Sequence, residues 1–284
     1  ILYDTDGVSD GIYNELVQAA VVPHHLEVTG GASQVAGSSQ QITISAKGVG
    51  GNTSPSYRGI KSVTLSGGLT SIKGHAPTCT DRNGVAISMG SAMSLSFTNG
   101  VASCTMVLYR TGAQSIDATD GSISSFGDPN WDLDVTVSAT SVDNASAYLS
   151  GSATSVNTKD NVTATVYGRD QYGNNVSSGG ATVTVTVSGT NAQTLTVTDQ
   201  SDGRYTGSYI ARNAGSDQIR GTFNGVTITA DNDGVSDGVF NLSVADTITA
   251  THLEVKGAAT QIAGRFQTIT IQALDDEGYR DFGY

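Results

Sequence analysis

Apolar and polar residues alternate along most of the chain with a period of two. The pattern is clear at Ile42, Ile44 and Ala46, at Val183, Val185 and Val187, at Leu195 and Val197, and at Val226, Ile228 and Ala230. Successive side chains of an extended strand point to opposite faces, so this period predicts strands with one face turned to a core. Between the runs fall Asn99-Gly100, Asp120-Gly121, Asp202-Gly203 and Asn224-Gly225, pairs that accept the positive φ of tight hairpin turns. Only Tyr13–Val21 hints at a helix, and a second version of that stretch, Phe240-Asn241-Leu242-Ser243-Val244, alternates as a strand does. The pattern predicts an all-β fold.

The chain also repeats itself. YDTDGVSDGIYNELV returns as ADNDGVSDGVFNLSV, and HHLEVTGGASQVAGSSQQITISA returns as THLEVKGAATQIAGRFQTITIQA, at a constant offset of 227. Residues 4–57 match residues 231–284 at 25 of 54 positions without a gap. A weaker echo lies inside the period: LEVTGGASQVAGSSQQITISAKG resembles YLSGSATSVNTKDNVTATVYGRD after one deletion, and both run on to a Gly-Asn pair, Gly51-Asn52 and Gly173-Asn174. The period therefore divides into two related units of roughly 115 residues, each near the size of an immunoglobulin-like (Ig-like) sandwich. This predicts two complete tandem β-sandwich domains, A at 24–138 and B at 143–247. Residues 1–22 would finish a preceding B-type unit, and residues 251–284 would start the next A-type unit.

Composition narrows the setting. Twenty-six acidic against 14 basic residues give a net charge of -12, which argues against nucleic acid, because phosphate backbones need clustered Lys and Arg. No apolar run is long enough to span a bilayer, and ILYDTDGVSDG has neither the basic nor the apolar segment of a secretory signal, so no membrane contact is expected in this segment. Cys79 and Cys104 stand 25 positions apart with no CxxC and no ligand-like neighbours. A disulfide is the preferred reading over two unpaired thiols, and it would stabilise by about 3 kcal/mol on the chain-entropy model. Asn-x-Ser/Thr occurs at Asn52, Asn144, Asn161, Asn175 and Asn241, a pattern that a Ser- and Thr-rich chain also produces by chance. Low charge density, abundant Thr and Gly, and the disulfide together point to an extracellular protein.

Unit B carries VTATVYGRDQYGNNV and DGRYTGSYIARNAGSDQIRGTFNGVTI, which resemble the Ig-like repeats of filamin and invasin type. Unit A, with APTCTDRNG and NGVASCTMVLYRTGAQSIDATDGSI, resembles the Ig-like modules strung along large bacterial surface proteins. It departs from the pattern at GVGGNTSPSY, which lacks the aromatic-Gly-Asn segment of unit B. The resemblance implies a stalk, filament or adhesin of tandem sandwiches, with neighbouring repeats or copies of itself as partners and any glycan or receptor engaged elsewhere in the parent chain.

Several residues are candidates for chemistry. Asp4, Asp6 and Asp10, and again Asp231, Asp233 and Asp237, form D-x-D-G-x-x-D segments that could supply about half of the six to eight oxygens calcium takes. The alternative is a solvated double turn interrupting the last strand of unit B. Gly7–Gly11 and Gly234–Gly238 match G-x-S-x-G, but nucleophile chemistry needs a following helix and a base, and neither copy predicts one. Of the histidines, His24 and His25 would face opposite sides of a strand, and His25 recurs as His252. Asp128-Pro129-Asn130-Trp131-Asp132 stands in unit A where unit B has its Asp-rich loop; burial of Trp131 at the A–B boundary is expected ahead of sugar stacking. No convergent acid, base and nucleophile set suggests an enzyme. The alternative to the stalk is a carbohydrate-binding or spacer array of a larger secreted protein.

Overall fold

The structure is a computed structural model describing residues 21–284, and its regular secondary structure is strand apart from one 3-10 turn, Asn144–Ser146. Ten strands belong to sandwich A: β1 His25–Thr29, β2 Ser33–Val35, β3 Ser39–Lys47, β4 Gly59–Ser66, β5 Thr78–Thr80, β6 Ala86–Ser88, β7 Ala92–Phe97, β8 Val101–Val107, β9 Gly112–Thr119 and β10 Leu133–Ser138. Ten more form sandwich B: β11 Tyr148–Gly151, β12 Ser155–Asn157, β13 Asn161–Tyr167, β14 Val183–Gly189, β15 Gln193–Thr194, β16 Thr198–Asp199, β17 Arg204–Ile210, β18 Gly215–Phe223, β19 Val226–Thr227 and β20 Phe240–Ala245. A two-stranded hairpin follows, β21 His252–Lys256 and β22 Thr270–Leu274. The described residues fall into two compact units, 21–70 with 75–138 and 71–74 with 139–284.

Each sandwich pairs two sheets. In A they run β1-β3-β8-β5-β6 and β2-β10-β9-β4-β7; in B they run β11-β13-β17-β16 and β12-β20-β18-β14-β15, with β19 beside β18. The first strand of each unit is thus split. Its first half joins one sheet antiparallel, and its second half (β2 or β12) crosses to pair in parallel with the last strand, β10 or β20. The inner faces are the predicted alternating sets. Leu133, Val135 and Val137 are buried and their neighbours exposed, as are Phe240, Leu242 and Val244. Core B gathers Leu149, Val162, Val166, Ile219, Phe223 and Phe240 around Val185. Burying each aliphatic or aromatic side chain of this kind contributes about 1.5–3 kcal/mol, enough for each sandwich to hold its own core.

The Asn-Gly pairs act as anticipated. Asn99 and Gly100 have φ of 50° and 84°, and Asn224 and Gly225 have 48° and 79°, so both central residues of each turn are left-handed. Thr98 and Val101 exchange backbone bonds of 2.9 and 3.0 Å across the first. A side chain on Gly100 would press on the Ser54 carbonyl at 2.5 Å, so that position excludes any Cβ.

Candidate functional site

The Asp-rich loop of unit B connects β19 to β20, and its geometry follows from where its carboxylates go. Ile228 donates to Gly221 in one sheet, and Ala230 then accepts from Leu149 in the other. Residues 231–239 bring the chain back to β20. Asp231, almost fully buried, accepts from Asp233 N at 3.1 Å and from Gly238 N at 2.7 Å, closing the loop. Asp233 accepts from Val235 N at 3.0 Å, and from the backbone N and Nδ2 of Asn241 at 2.8 and 2.7 Å. Asp237 accepts from Val239 N at 2.8 Å. These bonds, led by the one from Val235 N, hold the Asp233 carboxyl at a pKa of about 2. These carboxylates accept from the backbone amides of their own loop, the bonding pattern of a double turn. Among the described residues, no three His, Cys, Asp or Glu side chains gather as metal ligands. Asp4, Asp6 and Asp10 lie outside the described residues.

Unit A solves the same crossing with other residues. The loop between β9 and β10 reaches the first strand through Ser124 and Trp131, whose carbonyls accept from Leu26 and Val28 at 3.2 and 2.7 Å. Asp128 caps it, accepting from the backbone N and Nδ2 of Asn130. Trp131 stacks on His25 within its own unit, with ring centroids 3.8 Å apart and planes 13° from parallel. The ring that stacks on Trp131 thus comes from a residue 106 positions earlier in the chain. Desolvation under the indole, and then His24, lower the His25 pKa below its ordinary 6.5. The adjacent histidines differ in exposure, yet their Nδ1 atoms lie 3.3 Å apart, because His24 precedes the strand and is free to fold back.

Cys79 of β5 and Cys104 of β8 are joined in a disulfide, with Cα atoms 5.9 Å apart. Among the sequons, Asn52 and Asn161 are exposed. Asn175 is exposed but accepts from Arg169 Nε, Asn144 accepts from Asn224, and Asn241 is committed to Asp233. Ser236 of the second G-x-S-x-G lies in the Asp-rich loop and leads into strand β20, where a nucleophile elbow would lead into a helix. A cavity of about 300 Å³ in unit B is lined by Thr140, Ser141, Ser177, Ser178 and neighbouring small and apolar residues; Tyr205 is its one titratable side chain, and its hydroxyl accepts from Ala181 N at 2.9 Å. That lining offers no acid–base pair.

No family model matches the chain, and no curated protein matches it in sequence. Among solved structures it is similar to the Escherichia coli adhesin FdeC, at 18% identity over 93% of this chain and 77% of that one, with a TM-score of 0.44. It is also similar to invasin, a bacterial integrin-binding protein, at 17% identity over 91% of this chain and 48% of that one, with a TM-score of 0.35. The filamin domain of Lin-41 matches 37% of this chain and 97% of its own length at 18% identity, with a TM-score of 0.28. Its structural neighbours are adhesin, invasin and filamin domains, the types that the motifs of both units resemble.

One cluster in the second unit is not evident from the sequence. Lys159 has a left-handed φ of 77°, unusual for a residue with a side chain, where the equivalent turns of the A-type copies have Gly37 at 76° and Gly264 at 78°. Its ammonium bonds Asp275 at 2.7 Å and Glu277 at 2.9 Å and lies over the Tyr279 ring, which also receives Arg212. The two carboxylates raise the Lys159 pKa. Asp246 and Asp281 add backbone contacts, accepting from Phe282 N at 2.7 Å and Ala250 N at 3.0 Å. Asp275, Glu277 and Tyr279 replace Gly48, Gly50 and Asn52 of the first copy, so an offset of 227 that preserves the core does not preserve this junction. The signal was present as a lone DDEGY segment, but only folding brings Lys159 to it.

Proposed function

We propose that this chain is a stretch of an extracellular, adhesin-like surface protein in which tandem Ig-like sandwiches serve as a stalk or filament. The observation that carries the reading is the recurrence, at an offset of 227, of both sequence and strand pairing. His25 faces Lys47 through Thr29 facing Thr43 in β1–β3, and His252 faces Leu274 through Lys256 facing Thr270 in β21–β22. A module that closes its own core and is followed at once by a second start of the same module lengthens a chain by addition. The Cys79–Cys104 disulfide suits an oxidising, extracellular compartment. In this reading the Asp-rich loop at 231–239 is a self-capped turn leading into the last strand of unit B, the junction at Lys159 stiffens the step to the next module, and Asn52 and Asn161 are the sequons open to glycans.

The test is to express one, two and three 227-residue periods and measure their maximum dimension by small-angle scattering and electron microscopy, together with antibody labelling of intact source cells. The stalk reading expects a constant increment per period and surface labelling. Compact particles whose dimension does not grow with period number, or labelling only after lysis, would overturn it. Binding on a glycan array would favour the carbohydrate-binding alternative.

A further inference from the structure

His24 and His25 turn the same ring atom toward each other. His24 N donates to the Lys47 carbonyl at 2.6 Å, which fixes the residue just before β1, while His25, 5% exposed, begins the strand opposite Lys47. Adjacent residues inside a strand send their side chains to opposite faces, yet here the Nδ1 atoms stand 3.3 Å apart with the ring planes 83° from parallel. Trp131 covers the pair, stacked on His25 and edge-on to His24 at 6.1 Å. Glu27 is matched by Lys47 at 3.2 Å, and Asp128 adds an acidic charge beside His25. The second copy of the segment lacks this arrangement. There Thr251 replaces His24, and its Oγ1 takes the same place, 3.3 Å from His252 Nδ1.

Two nitrogens held by one tetrahedral ion, each at about 2.0–2.1 Å, stand about 3.3–3.4 Å apart. The Nδ1 pair already has that spacing. In the neutral pair the N–H of one ring faces the lone pair of the other, and a metal ion would take the place of that proton. We propose that His24 and His25 form a binding site for a divalent first-row transition cation, Cu²⁺ foremost, at the entry to sandwich A. Imidazole suits copper, zinc and nickel, of which Cu²⁺ binds most tightly, whereas calcium and magnesium take carboxylate and carbonyl oxygens. Two imidazoles leave further coordination positions to water, so the bound ion is exchangeable. Thr251 offers a neutral hydroxyl where His24 offers an imidazole, so the site belongs to the first copy and not to the second. The proposal rests on these side chains and stands whatever the array is for.

Trp131 is the one tryptophan of the chain and stacks on a proposed ligand, so Cu²⁺ bound there quenches its fluorescence. Titrating Cu²⁺ into the full chain at neutral pH should give saturable quenching at one ion per chain, reversed by EDTA. The electron paramagnetic resonance spectrum of that complex should show coupling to two imidazole nitrogens. His24→Thr, which reproduces the second copy, and independently His25→Phe should weaken the quenching affinity at least tenfold. His252→Ala and His75→Ala should leave it within twofold. His24 is exposed, so His24→Thr should keep the thermal transition of sandwich A, which reports that the variant folds. Absence of quenching, quenching that His24→Thr leaves unchanged, quenching lost in His252→Ala, or a spectrum with fewer than two nitrogen couplings would overturn the proposal.

Discussion

Sandwiches A and B lay one strand order over two different fastenings. After the left-handed residue that starts the second strand, Gly37 in A and Lys159 in B, the chain places Gln40 opposite Met106 and Ile42 opposite Cys104 in A, and Val162 opposite Tyr209 and Ala164 opposite Gly207 in B. Where A has Cys104 bonded to Cys79, B has Gly207, whose missing side chain leaves room for buried Leu195; a Cβ there would lie 3.0 Å from the Leu195 Cβ. Where A has apolar Met106, B has Tyr209, which donates to Asp217 at 2.9 Å. Asp217 is 1% exposed and also accepts from the backbone N and Nδ2 of Asn191 and from Thr190 Oγ1. The same place in A is taken by Gln114, also buried, which ties Leu69 N and the Arg110 carbonyl. A covalent tie between strands in one module is exchanged for a buried, satisfied polar cluster in the other, a change that leaves the topology alone.

The contrast is broken most forcefully at the disulfide. Cys104→Ser should lower the stability of sandwich A by about 3 kcal/mol, Cys79→Ser by the same amount, and the double variant by no more than either. Calorimetry should show the transition of B unmoved; additive losses would count against the bond. Next comes the polar cluster. Asp217→Ala strands Tyr209 and Asn191 in the core and should cost sandwich B about 1–3 kcal/mol, with A unchanged. An equal loss in both transitions would mean that the modules do not fold separately.

A smaller effect separates the two by pH. Sandwich A has His25 with a lowered folded pKa, and the chain has no histidine between 143 and 247. Between that lowered value and 6.5 the unfolded chain holds the proton more tightly, so A should lose stability as pH falls below 6.5 and keep it above. His25→Phe should flatten the slope, and a slope in B of the same size would sink the assignment. Smallest is the effect at Asp233, whose contribution is present above the ordinary carboxyl value of 3.8 and lost as pH falls through about 2. Asp233→Asn should remove that acid limb, and calcium or a chelator should leave the transition of B where it is; a rise with calcium would restore the metal reading of the loop.

Much of the fold was legible because a strand's period is local. Leu133, Val135 and Val137 announce a buried face whatever they meet, and Asn99-Gly100 announces its turn. The tandem organisation was legible because the second start repeats the apolar positions of the first. The site features were less so. Asp231 stood out in a D-x-D-G-x-x-D segment and closes its loop, whereas nothing in the sequence singled out Asp217, which serves a buried cluster. Trp131 and His25 meet only because the last strand crosses to the first. Lys159 gave no sign of its role, since its partners lie more than 100 residues away and its strained φ is invisible in a one-letter string.

The split first strand has a consequence for mechanics. In A, Ala36 N donates to Ser138 and Thr136 N to Ala32, at 2.8 and 2.9 Å; in B, Thr158 N donates to Ala245 and Ser243 N to Thr154, both at 2.9 Å. These bonds join the entering and leaving strands of each sandwich side by side and in parallel. Tension applied through the chain ends pulls such strands in opposite directions along their length, so the bonds are sheared together and cannot be peeled one after another. Rupture then needs concerted loss of the whole patch, and the rate of forced unfolding, not equilibrium stability, sets how much load the chain bears. If A does yield, the Cys79–Cys104 bond keeps the residues between it from paying out.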